Sequence, residues 1–99
     1  MARFHLSKPA TKDLEGILTY IRQRNPRAAK RVKKEFRRVM AQLADMPHKG
    51  HFREDITDKR YRFWSLYSYL IAYLPETKPV EIVRVVHGAQ DIGRFFEDS

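Results

Sequence analysis

Arg62, Arg84 and His87 are the side chains whose types could do chemistry on a phosphate. Metal-free cleavage of RNA needs a base for the 2′-hydroxyl proton, an acid for the leaving 5′-oxygen and cations around the phosphate. The two arginines supply charge, and a histidine titrates near neutrality. His87 ends the run VEIVRVVH just before Gly88, where a histidine is more often a hydrogen-bonded structural residue than a catalytic group or a partner contact. Lys49 and Lys59 stand isolated in a charged connector. No complete acid–base set is visible. No catalytic residue is therefore expected, unless the chain is a ribonuclease, in which case Arg62, Arg84 and His87 would carry the reaction.

Other chemistries have less support. His48 and His51 in PHKGH lack a third ligand and the i,i+4 helical spacing of a zinc-binding helix, so no metal is expected. Tyr61, Phe63, Trp64, Tyr67, Tyr69 and Tyr73 could stack bases, yet aromatics at strand spacing are first of all core residues. There is no glycine-rich nucleotide loop and no nucleophile elbow, and no cofactor is expected.

Charge is more informative. Lys and Arg number 20 against 12 Asp and Glu, a formal net charge of +8, which favours a polyanionic partner such as DNA, RNA or an acidic protein segment. Much of the excess crowds residues 27–38: Arg27, Lys30, Arg31, Lys33, Lys34, Arg37 and Arg38, with Glu35 the only acid. A helix needing only solubility usually mixes signs, because like charges one turn apart repel. A solvated helix back and a partner surface both fit this pattern. The residues expected to meet a partner are Arg27, Lys30, Arg31, Lys34, Arg37 and Arg38, with Arg84 from the last strand. There is no cysteine, so disulfides and thiolate metal sites are excluded and a reducing compartment suits the chain. No apolar run resembles a signal peptide or spans a bilayer, so a cytoplasmic protein with no membrane partner is expected.

The elements that must position these residues follow from periodicity. Residues 2–7 alternate as a half-buried strand. Ser7, Lys8 and Pro9 read as a helix start, followed by the stripe Leu14, Ile17, Leu18 and Ile21. Asn25-Pro26 stops that helix and starts a second, whose inner face is Ala29, Val32, Phe36, Val39, Met40 and Leu43. From residue 60 the period falls to two, with strands expected at 60–66, 68–74 and 80–87 and a short terminal helix over 89–98. The expected fold is α+β: one domain over residues 1–99, a small antiparallel or mixed sheet with an N-terminal helix hairpin on one face, in the order β-α-α-β-β-β-(α). The other face is expected to stay partly open. Strict alternation puts Ile82, Arg84 and Val86 on one side of the last strand, and Glu81, Val83, Val85 and His87 on the other. If Val83 and Val85 meet the helices, Arg84 points away from them. The face taken by Arg62 stays open.

The helix hairpin, the segment MPHKGHFRED, the strand pair RFWSLYSYLIAYL and the closing VEIVRVVHGAQDIGRFF together resemble a ParE-type toxin of the RelE/ParE superfamily. Val86, His87, Gly88 and Asp91 match the V-L-H-G-x-R-D pattern of such chains. Gln90 departs from it, with the loss of one possible phosphate or carboxylate contact. The resemblance implies a toxin neutralised by a cognate antitoxin through an acidic or amphipathic segment, in a hetero-oligomer. It implies DNA gyrase as the target, bound and trapped on cleaved DNA. RelE-type members instead cut messenger RNA on the ribosome, and lysines on the connector belong to that type. A member retained only for antitoxin and operator binding is a third possibility.

Overall fold

The computed structural model describes residues 3–53 and 60–88. The expected terminal helix and Lys59 lie outside the described residues. Strand β1 (Phe4–Leu6) leads into helix α1 (Lys8–Arg24) and helix α2 (Pro26–Asp45). A 3-10 turn (Pro47–Lys49) and the connector follow, then β2 (Arg62–Leu66), β3 (Tyr69–Leu74) and β4 (Val80–His87).

Local chemistry sets the helix ends. The Ser7 hydroxyl accepts from the Ala10 N–H at 3.1 Å, and Pro9 falls in the first turn, where its missing N–H costs nothing. Asn25 repeats the device for α2: its side-chain oxygen accepts from the Ala28 N–H at 3.1 Å, with Pro26 next. One residue therefore closes α1 and caps α2, folding the pair into a tight hairpin. Its apolar side is the one expected. Phe36, Met40 and Leu43 are fully buried and Val39 nearly so, while Arg31, Lys34 and Arg38 are exposed.

The sheet order is β1-β4-β3-β2. β1 runs parallel to β4, Phe4 to Leu6 facing Val80 to Ile82, and the other pairs are antiparallel. The helices pack on one face, where Phe36, Val39, Met40 and Leu43 meet Ile71, Tyr73, Ile82 and Val85. The opposite face is partly open, as expected, at Ser65, which is exposed, and at Leu74 and Val83, which are half-buried. It carries a second buried cluster of Tyr61, Phe63, Leu70, Ala72 and Val86.

One irregularity governs the rest. Between β3 and β4 the register runs Ala72 opposite Arg84 and then Tyr73 opposite Ile82, so Val83 is an extra residue on β4. A bulge of one residue reverses which side chains face which way beyond it. Ile82 accordingly packs under the helices, whereas Arg84 and Val86 stand in the opposite row with Ala72. Val85 meets the helices as expected, but Val83 joins the second cluster. The strict alternation read from the sequence is corrected by this bulge.

Candidate functional site

The end of β4 is tied to α1 by side chains. β1 covers the edge of β4 only as far as Ile82. Beyond it the Ser7 hydroxyl donates to the Val83 carbonyl at 2.7 Å, and an Asp13 carboxylate oxygen accepts from the Val85 N–H at 3.0 Å. These contacts cap a strand edge that would otherwise present unpaired backbone. The same Asp13 carboxylate takes Arg84 in a fork, with Nε at 2.8 Å and Nη2 at 2.9 Å. Both side chains retain only 16–20% of their exposure. Arg84 thus faces an internal carboxylate. His87, at the strand end, is exposed, and its ring meets that of Tyr69 edge-on with centroids 5.5 Å apart. The backbone turns at Gly88, whose N–H donates to the Ser68 carbonyl at 2.8 Å.

Arg62 lies elsewhere. It stands opposite Tyr73, which belongs to the helix-side cluster, so Arg62 and Arg84 occupy opposite rows of the sheet. The Arg62 Nη1 donates to the carbonyls of His48 at 3.1 Å and Gly50 at 2.7 Å, and its guanidinium lies 4.1 Å from the centre of the Phe52 ring. Around it the connector is held by aromatic and polar contacts. Lys49 sits over Trp64 at 4.7 Å, His51 lies parallel to the same ring at 5.8 Å, and His48 meets Glu76 at 3.1 Å. His48 and His51 are thus engaged separately, and no group of three metal-ligating side chains occurs among the described residues. Beneath them, Tyr73 donates to the Pro47 carbonyl and accepts from the Gly50 N–H, at 2.7 and 2.8 Å. Burial pushes the Tyr73 hydroxyl above the ordinary tyrosine range, with the Gly50 N–H and Arg62 opposing the shift. Gly50 is required here, because a Cβ would run into the Tyr73 hydroxyl.

The basic face of α2 divides in two. Arg27, Arg31, Lys34 and Arg38 lie on the exposed back, where Arg38 binds Glu35 and holds that carboxyl below its ordinary range. Lys30, Lys33 and Arg37 follow at spacings of three and four and turn toward α1. There Lys33 and Arg37, with Arg22 of α1, rim a groove of about 460 Å³ floored by Phe4, Leu6, Leu14, Leu18 and Met40. Lys30 extends the same seam past Pro26 and Ala29. Glu15 is the acidic member of the lining. An apolar floor between cationic rims suits an amphipathic chain segment bearing carboxylates.

A family model described as the ParE toxin of type II toxin-antitoxin systems, parDE, matches residues 4–92. The chain belongs to the ParE toxin family. No curated relative matches it. Membership makes this chain the toxin of a type II toxin–antitoxin system and implies a cognate antitoxin as its partner. Among the described residues of this ParE toxin, no helix is long and apolar enough to cross a membrane.

Two features of the site escaped the sequence. Arg22 joins the basic rim only because α1 docks beside α2, and nothing in its surroundings along the chain marks it. Asp13 is one acid among the charged residues of α1 until the fold brings it to Arg84, 71 positions away. The alignment of Lys30, Lys33 and Arg37 along one flank of α2 was available from helical spacing alone.

Proposed function

We propose that this ParE toxin acts by binding rather than by catalysis, seizing DNA gyrase and trapping it on cleaved DNA in the cytoplasm. The observation that carries this reading is the Asp13–Arg84 fork. A phosphate clamp needs cations facing one point, but Arg84 is neutralised by Asp13 while Arg62 holds backbone carbonyls from the other row of the sheet. Membership of the ParE family supports the choice of gyrase over the ribosome. The cognate antitoxin silences the toxin by laying an amphipathic, acidic segment into the groove between α1 and α2. Its apolar side chains meet Phe4, Leu6 and Leu14, which keep part of their surface exposed, and its carboxylates meet Arg22, Lys33 and Arg37. Arg27, Arg31, Lys34 and Arg38 extend the favourable field over the back of α2.

The test is reconstitution with gyrase and relaxed plasmid. The toxin should block supercoiling and accumulate cleaved DNA, and the antitoxin should reverse both effects. His87→Ala should matter only through folding or docking, because no proton transfer depends on that ring. Intact gyrase activity at saturating toxin would refute the reading.

A further inference from the structure

Helix α1 has a second flank. On the side away from the basic groove, Lys12, Gly16 and Tyr20 stand at intervals of one turn and form one wall of a groove of about 470 Å³. Its other wall is Tyr69 with the end of β4, including His87. Tyr20 is 54% exposed, and the Arg24 guanidinium lies 4.6 Å over its ring. Among the described lining residues Asp13 is the one carboxylate and Arg84 already binds it, which leaves the Lys12 ammonium, and the Arg24 guanidinium over Tyr20, to attract negative charge.

Gly16 is the unexpected residue. A glycine in a helix interior weakens the helix relative to alanine. Among the described residues, nothing beyond the helix's own backbone lies within 4 Å of where a Cβ would stand, so no contact among them requires a glycine. What the missing side chain provides is bare helix backbone at the groove wall, where another chain can approach closely. Tyrosine rings, cations and a close-approach point on one concave surface are the composition of a protein-binding hot spot.

We propose that this groove is the surface by which the toxin grips its target protein. It takes an apolar side chain seated over Gly16 between Tyr20 and Tyr69, from a segment whose acidic residues meet Lys12 and Arg24. The occupant is the target, because the amphipathic groove assigned to the antitoxin lies on the opposite flank of α1. The proposal rests on the binding-toxin reading, and on gyrase only for the identity of the target.

The test uses the full chain carrying Gly16→Leu, which fills the groove from a position with room for a side chain, and separately Tyr20→Ala, which removes an exposed wall. Gly16→Leu should melt no lower than the unaltered toxin, since leucine favours helix more than glycine. Both variants should bind purified antitoxin as the unaltered toxin does. Both should lose inhibition of gyrase, and growth arrest on expression in cells, by about tenfold or more, as expected for a hot-spot contact. Undiminished arrest by Gly16→Leu would overturn the proposal, as would antitoxin binding that falls in step with arrest. If the unaltered toxin leaves gyrase untouched, the gyrase reading fails while the arrest assay still judges the groove. Loss of arrest with antitoxin binding intact then supports it, and unchanged arrest overturns it.

Discussion

Asp13→Ala should be among the most damaging single changes on α1, although Asp13 lies well outside the main apolar core. Its carboxylate accepts three hydrogen bonds, two from Arg84 and one from the Val85 N–H. Removing one partner of a fully buried ion pair costs about 3–5 kcal/mol, because the other charge is left without compensation. Here Arg84 keeps 20% exposure, so water can recover part of its solvation and the lower end of that range applies. Val85 is 2% exposed, and an orphaned N–H there adds about 1 kcal/mol. The expected loss is about 3–4 kcal/mol, a large part of the roughly 5–15 kcal/mol that holds a domain of this kind folded. In urea melts the midpoint should fall by about 2–3 M, with little change in slope. Arg84→Met should cost less, since Asp13 still caps Val85. The double variant should be more stable than the sum of the two losses implies, by at least about 1.5 kcal/mol. A loss below about 1 kcal/mol for Asp13→Ala, or additive losses, would show that the fork does not hold β4 to α1.

Tyr73 makes stability depend on alkaline pH. Its folded-state ionisation is raised above the unfolded value of about 10, so its contribution is complete below that pH and is lost as pH rises through the folded value. The toxin should therefore lose stability above about pH 10 more steeply than Tyr73→Phe, measured by paired urea melts across pH 8 to 11. Tyr73→Phe should itself cost about 1–3 kcal/mol at neutral pH, from the orphaned Gly50 N–H and the lost donation to Pro47. Reversing charge on the groove rim with Lys33→Glu and Arg37→Glu should slow antitoxin association and weaken its dependence on salt, read by stopped-flow or surface-binding kinetics. Binding should survive moderate salt in the unaltered toxin, since the groove floor is apolar and screening removes only the charge contribution.

The fold was largely legible because its signals are local. Ser7 and Asn25 are caps with prolines behind them, and the α2 stripe from Ala29 to Leu43 repeats at three and four. The strands lie where β-branched and aromatic residues alternate. What escaped were effects of register and of long-range meeting. The bulge at Val83 carries no glycine or proline to mark it, yet it sets Ile82 and Arg84 on different faces. The two-residue turn between β2 and β3 also lacks the usual signal. Tyr67 holds a positive φ of 56° where glycine or asparagine is the ordinary choice, and its ring packs edge-on against Phe36. The site was legible as a list of charges but not as a geometry. Helix spacing gathers Lys30, Lys33 and Arg37, whereas Arg22 and Asp13 find their places only after α1 docks.

The central claim is that this toxin works by occupancy, and dose separates occupancy from turnover. A purified reaction holding gyrase and relaxed plasmid, and a cell-free translation reaction with labelled message, should be titrated in parallel with the same toxin preparation. The expected result is supercoiling that declines until toxin matches active gyrase, cleaved DNA rising with it, restoration by an equivalent of antitoxin, and message that stays full length throughout. Message cut on ribosomes by toxin far below ribosome concentration, with gyrase unaffected, would contradict the claim.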